Sequence, residues 1–336
     1  MKEWISEVIE NPQRITIPIM THPGIERLGK SVKEAVTDGI IHSEAILTLD
    51  KMYPSSASTA IMDLTVEAEA FGADIIFHED EIPTVAGRLL CDNVSVERLI
   101  IPDMYAGRIQ QYLLANKLTA GLITDKPVFG GCIGPFSLAG RLYDLSEFMM
   151  ACYCEPDSAR LLLSKCKDFL KNYCREIKKQ GVNGIIMAEP AAGLLSPEGC
   201  DEFSSVYIKE IIDAVQDDYF AVILHNCGNK GHCTDAMLST GAFGYHFGNM
   251  IDMVTALEQC PRNVLVMGNL DPSGLLKNAL AEDVRKETLY LLKKTAHFPN
   301  FVLSSGCDIP PQTPKENIQA FFEALNDFNR ERDSNR

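Results

Sequence analysis

Three residues whose side chains bind soft metals stand at the ends of two apolar runs. His225 and Cys227 lie in Ala221-Val222-Ile223-Leu224-His225-Asn226-Cys227, and Cys307 lies in Ser304-Ser305-Gly306-Cys307-Asp308. An imidazole with two thiols is the donor set of a zinc site that leaves one coordination position open. Residues two apart on a β-strand point the same way, so Ile223, His225 and Cys227 share a face and both donors lie on one wall. Cys307 follows roughly 80 residues later, whereas a zinc finger gathers its ligands within a few tens of residues. The fold must bring this third donor to the other two, and a three-ligand site assembled in that way points to catalysis rather than to a structural staple.

Such a site needs a framework of strands, and short β-rich apolar runs alternate along the chain with longer segments of helical character. Eight runs stand out: residues 15–20, 73–78, 127–132, 184–189, 220–227, 242–247, 264–269 and 301–307. Between them, stretches such as Pro156 to Lys179 and Asp283 to Thr295 carry apolar residues at helical spacing. Eight strand–helix units predict an α/β fold, a single (β/α)8 TIM barrel domain over residues 1–336 with N-terminal helical additions. The C-terminal ends of barrel strands converge on one mouth. Nearly every run here stops in residues able to do chemistry: His78-Glu79, Cys132, Glu189, His225 and Cys227, His246, Asn269 and Asp271, Cys307 and Asp308. His78-Glu79-Asp80-Glu81 reads as a solvated loop. Glu189 and Asp271 are expected to orient ligands or substrate, because a metal-bound histidine needs an outer acceptor.

The composition is that of an ordinary globular protein: 46% of the 336 residues are hydrophobic and 23% are charged. A formal charge of −15 argues against nucleic acid or an anionic membrane as partner, since either repels an acidic surface. Eleven scattered cysteines, no signal peptide at Met1-Lys2-Glu3-Trp4 and no apolar run long enough for a bilayer suit a reducing cytoplasm with mostly free thiols. Cys152 and Cys154 point to different faces of a helix and, with Cys166 and Cys174, read as packing residues. Cys227 and Cys233, with His232, form an alternative metal set, but Cys233 falls at the start of the following helix, away from the strand end. Gly130-Gly131-Cys132-Ile133-Gly134 lacks the Lys and Ser/Thr of a phosphate-binding loop.

Longer segments carry a family likeness: Met62 to Ala70 (MDLTVEAEA), Phe129 to Ala139 (FGGCIGPFSLA), His225-Asn226-Cys227-Gly228-Asn229, Asn269-Leu270-Asp271-Pro272, and Gly306-Cys307-Asp308-Ile309-Pro310. Over almost its whole length the chain resembles the uroporphyrinogen decarboxylase superfamily. Within it, the last three segments resemble the zinc-dependent methylcobalamin:thiol methyltransferases of the coenzyme M type. The resemblance implies that His225, Cys227 and Cys307 hold Zn²⁺ and that a thiol substrate takes the fourth position. It also implies a methyl donor that is methylcobalamin or a corrinoid-binding protein. Tetrapyrrole decarboxylation is the alternative. Decarboxylases usually announce it by an Arg-rich segment after the first strand, whereas Met20-Thr21-His22-Pro23-Gly24-Ile25-Glu26-Arg27 has one Arg and a Glu. One position departs from the methyltransferase pattern. A carboxylate is expected at the end of the strand after the His-x-Cys strand, and Gly244-Tyr245-His246-Phe247-Gly248-Asn249 places His246 there. His246 is then a fourth ligand, an outer partner of the site, or a hydrogen-bonded core histidine.

Overall fold

Side-chain alternation along parallel strands builds this molecule. The computed structural model describes residues 1–334 and contains the strands β1 (Ser58–Thr59), β2 (Ile75–Ile76), β3 (Thr84–Val85), β4 (Val128–Ile133), β5 (Gly184–Ala188), β6 (Ala221–Asn226), β7 (Gly244–Phe247), β8 (Leu265–Leu270) and β9 (Phe301–Ser305). Seven of them pair in the order β1-β4-β5-β6-β7-β8-β9, all parallel. The extended segment 15–19 closes the ring. On one side Ile17 N donates to Leu303 O (3.0 Å) and Leu303 N to Ile15 O (3.1 Å); on the other, Ser56 N donates to Thr16 O (2.9 Å) just ahead of β1. The result is the eight-position barrel expected from the repeating pattern.

A parallel sheet buries both faces, so its strands read as continuous apolar runs and the alternation shows only in where each residue goes. In β6, Ala221 and Ile223 join an inner cluster with Ile17, Ile19, Phe129, Ile186, Leu265, Met267 and Val302. Val222 and Leu224, which alternate with them, belong to the outer cluster under the helices. The helix Lys2–Glu10 adds Ile5 and Val8 to the inner cluster. Lys2 N donates to Asp218 O (3.0 Å), in the loop that leads into β6. This N-terminal helix therefore covers the lower end of the barrel and leaves the mouth at the strands' C-terminal ends. Three further helices, His22–Arg27, Val32–Thr37 and Gly39–Met52, fill the connection to β1. Ser31 starts the second of these with a capping box, its hydroxyl accepting from Glu34 N while the Glu34 carboxylate accepts from Ser31 N.

One expected strand lies elsewhere. Residues 73–78 do not supply the second barrel position; Ser58–Thr59 does, held by Ser58 N to Pro127 O (2.9 Å) and Ala60 N to Phe129 O (2.9 Å). The true strand is short and made of small polar residues, so it carries no apolar run. Ile75–Ile76 instead pairs antiparallel with Thr84–Val85 in a hairpin, which leaves Ile76 half exposed. His78 consequently sits in a hairpin loop, and Asp80 to Thr84 border the mouth. Among the described residues no helix is long and apolar enough to cross a membrane.

Candidate metal centre

Register brings the site together. His225 of β6 pairs with Ala188 of β5 on one side and with His246 of β7 on the other, and Ser304 of β9 pairs with Asn269 of β8. His225, His246 and Ser304 continue the inward-facing sets of their strands, so they form a polar layer above the apolar interior. Beyond β6 the Asn226 side chain turns the chain by accepting from Gly228 N and Asn229 N, both at 3.0 Å. Cys227 lies on that turn, and Cys307 follows β9. One ligand atom each from His225, Cys227 and Cys307 lie within 4.8 Å of one another. Ligand atoms around tetrahedral zinc sit roughly 3.3–3.8 Å apart, so small side-chain rotations suffice, and the soft donor set fits that metal. Two glycines make the approach possible. A Cβ at Gly248 would fall 2.7 Å from Cys227 O, and one at Gly306 would fall 2.7 Å from Asn249 N.

The two sulfurs lie close enough to separate each other's acidities. The neighbouring Cys307 thiol holds Cys227 below the ordinary thiol range, while the proximity of Cys227, together with burial, pushes Cys307 up. Behind them runs a buried line of hydrogen bonds. His225 Nδ1 lies 2.8 Å from His246 Nδ1, His246 Nε2 lies 2.8 Å from Ser304 Oγ, and Ser304 Oγ donates to Ile17 O at 2.7 Å. Both ring nitrogens of His246 are thus engaged in this line, beside the triad. Burial also pushes His246 well below the ordinary imidazole range.

Glu189 and Asp271 have other work. Glu189 N donates to His225 O (2.8 Å), but its carboxylate turns to the start of the helix Pro135–Tyr143 and accepts from Phe136 N (2.9 Å) and Ser137 N (2.6 Å). A carboxylate there complements the positive end of the helix dipole. Burial pushes Glu189 up to about 7 even so. Asp271 accepts from Ser273 N (3.0 Å) and Gly274 N (2.8 Å), opening the π-helical turn Pro272–Lys277. Neither carboxylate joins the triad. Cys233 is also elsewhere, buried with its Sγ 3.6 Å from Leu195 O. Cys132 lies 3.8 Å from Cys174, sulfur to sulfur. Cys152 is buried, as a packing residue should be, whereas Cys154, on another face of the helix, is exposed and does not serve as packing.

The triad opens into a cavity of about 620 Å³, within the usual size of a small-molecule site, whose wall includes Ile19, Met62, Leu64, Pro190 and Lys277. His22 and Asp308 also line it; His22 Nε2 lies 3.6 Å from Asp308 Oδ2, which accepts from Thr21 Oγ1 at 2.8 Å. Neither His22 nor Ser304 carries a role on sequence grounds. The signal for His22 is its place just past the first apolar run, where the other runs end in reactive side chains.

This barrel, with soft donors at its mouth, has relatives of known type. The profile of the uroporphyrinogen decarboxylase (URO-D) family matches residues 14–328, and the chain belongs to that family. Among its relatives is a methylcobamide:CoM methyltransferase, MtbA, of Methanosarcina acetivorans, 29% identical over 79% of this chain and 78% of that protein. The uroporphyrinogen decarboxylase of Legionella pneumophila is 26% identical over 83% of this chain and 80% of its own. In structure, a methyltransferase from Methanosarcina mazei superposes with a TM-score of 0.87 at 22% identity, covering 97% of both chains.

Proposed function

We propose that this protein is a zinc-dependent methyltransferase that moves a methyl group from methylcobalamin, or from a methyl-corrinoid protein, to a thiol such as coenzyme M. The observation that carries the reading is the His225, Cys227, Cys307 triad, which faces a cavity and is joined by no fourth His, Cys, Asp or Glu among the described residues. Zinc bound there supplies a Lewis acid that keeps a coordinated thiol deprotonated at neutral pH.

The chain's own residues do the rest. Cys227 and Cys307, as thiolates, offset the charge of the cation, which leaves the substrate sulfur electron-rich enough to attack. Ile19, Met62, Leu64 and Pro190 form an apolar wall that restricts water near the sulfur. His22 and Asp308, next to Cys307, are polar groups placed to orient the substrate. In the balanced reaction the thiol gives its proton to solvent and an S–CH₃ bond forms. The Co–CH₃ bond breaks with its electron pair left on cobalt, giving cob(I)alamin.

Decarboxylation of a tetrapyrrole fits the cavity less well. Among the described residues Lys277 is the one Lys or Arg that lines it, against Asp80, Glu81 and Asp308, whereas a substrate with many carboxylates calls for several cations. The test is to incubate zinc-loaded protein with methylcobalamin and a panel of thiols that includes coenzyme M and homocysteine. The spectrum of cob(I)alamin should grow in with at least one thiol. Protein that takes up no stoichiometric zinc and methylates none of them overturns the reading.

A further inference from the structure

The line from His225 to Ile17 has one consistent arrangement of protons. The Ile17 carbonyl can only accept, so the Ser304 hydroxyl, 2.7 Å away, donates to it. Ser304 Oγ is then the acceptor for His246, whose Nε2 at 2.8 Å must carry the hydrogen. A neutral imidazole protonated at Nε2 has a bare Nδ1. That bare nitrogen faces His225 Nδ1 at 2.8 Å, so the proton between the rings belongs to His225. With Nδ1 protonated, His225 keeps its lone pair on Nε2. All four residues are almost fully buried, so no solvent stands ready to replace a missing partner.

We propose that His246, itself held by Ser304 and the Ile17 carbonyl, is a positioning residue that locks His225 in the Nδ1–H tautomer and so presents its Nε2 lone pair for metal binding. The proposal rests on the zinc reading above and adds a residue two bonds removed from it: Ser304, which touches no ligand atom, decides which nitrogen of His225 is free. Metal-bound histidines usually donate their second nitrogen to a carboxylate, a carbonyl or water. Here a neutral imidazole takes that place. A site of two thiolates, one neutral histidine and Zn²⁺ is thereby left without the extra negative charge that an acidic partner would bring. The geometry also anchors the site to the seam where segment 15–19 closes the barrel against β9.

The expected effects are graded. His246→Leu removes the acceptor and should weaken zinc binding about 10- to 100-fold, the usual cost of losing such a partner. Ser304→Ala frees His246 to take its other tautomer, in which both rings present N–H to each other unless His225 flips as well; zinc affinity should fall about tenfold. His246→Gln offers an amide oxygen to His225 and an N–H to Ser304, and should stay within about threefold of wild type. Affinities are read by competition with a chromophoric chelator, using Zn²⁺ as the probe. A second readout needs no metal. In histidine-¹⁵N-labelled, chelator-stripped protein, which has seven histidines to assign, His225 should show a protonated Nδ1 and a bare Nε2, and Ser304→Ala should shift that balance. An Nε2–H tautomer in the wild type, or zinc affinity unchanged in both His246→Leu and Ser304→Ala, overturns the proposal while leaving zinc in place. Failure of the wild type to bind zinc at all removes the metal reading and this proposal together.

Discussion

The two sides of the barrel mouth bury polarity by opposite means. On the β6–β9 side the two sulfurs are backed by imidazole and hydroxyl groups, whose hydrogen bonds run in a single line that ends on a backbone carbonyl. On the β1–β5 side the groups are carboxylates and guanidinium. Arg108 donates to Asp63, to Glu69 (2.5 Å), to Thr65 Oγ1 (2.9 Å) and to Val36 O (3.0 Å), with the Phe77 ring 4.9 Å away. That one side chain ties the segment after β1 to the β2 hairpin and to the helix Ile109–Leu122, which it precedes. The contrast separates architecture from chemistry. Ionised groups that neutralise each other underground have no capacity left for a ligand, whereas neutral donors beside a cavity keep theirs.

Breaking each side in turn should give opposite signatures. Arg108→Met strips a buried carboxylate of its cation and should lower unfolding free energy by about 3–5 kcal/mol in a urea titration. Zinc affinity of the molecules that remain folded should change by less than about twofold, because sites that share no partner add independently. A tenfold loss of zinc affinity would show that the two sides are one network. Cys227→Ala should do the reverse. Loss of one of the three protein ligands weakens zinc binding on the order of a thousandfold. The stability of the metal-free protein, measured in the same way, should move by about 1 kcal/mol or less, since Cys227 is only partly buried.

The chemical side was the more legible of the two in the sequence, for a physical reason. A strand's period of two fixes the relation of Ile223, His225 and Cys227 whatever surrounds them, and a parallel barrel carries all strand ends to one mouth. Register is not local, so nothing in the residue types sets His246 beside His225; the pairing of β7 with β6 does. The last member of the line, Ile17 O, is a backbone atom and leaves no trace in residue types. The hydrogen bonds of Glu189 and Asp271 were not legible, because a carboxylate at a strand end serves equally to orient a ligand or to cap the next helix. For Glu189 the helix it caps follows a different strand, β4. Ser58–Thr59 was hidden because two small polar residues hold their barrel position by backbone hydrogen bonds alone.

Glu67 tests how complete the neutralisation of the carboxylate side is. It is buried in the helix Val66–Ala70, where one oxygen accepts from Ile133 N at 2.9 Å and the other has no hydrogen-bond partner among the described residues. Burial pushes its carboxyl up from 4.5 to about 7. The folded protein therefore holds this proton more tightly than the unfolded chain does. The stability that results is fully present below pH 4.5 and is lost as pH rises through about 7. Glu67→Gln keeps the acceptor for Ile133 N and cannot ionise. At pH 5 it should match the wild type closely, and at pH 8 it should be the more stable by no more than about 3 kcal/mol. Urea titrations at pH 5, 6.5 and 8 would show the wild type losing stability more steeply than the variant. Some slope should persist in both, because Glu189 is also raised to about 7. Identical slopes would mean that the nearby charge of Arg141, which favours ionised Glu67, already compensates the buried carboxylate. Charge pairing would then be complete on this side of the mouth, and the contrast with the sulfur and imidazole side would be sharper still.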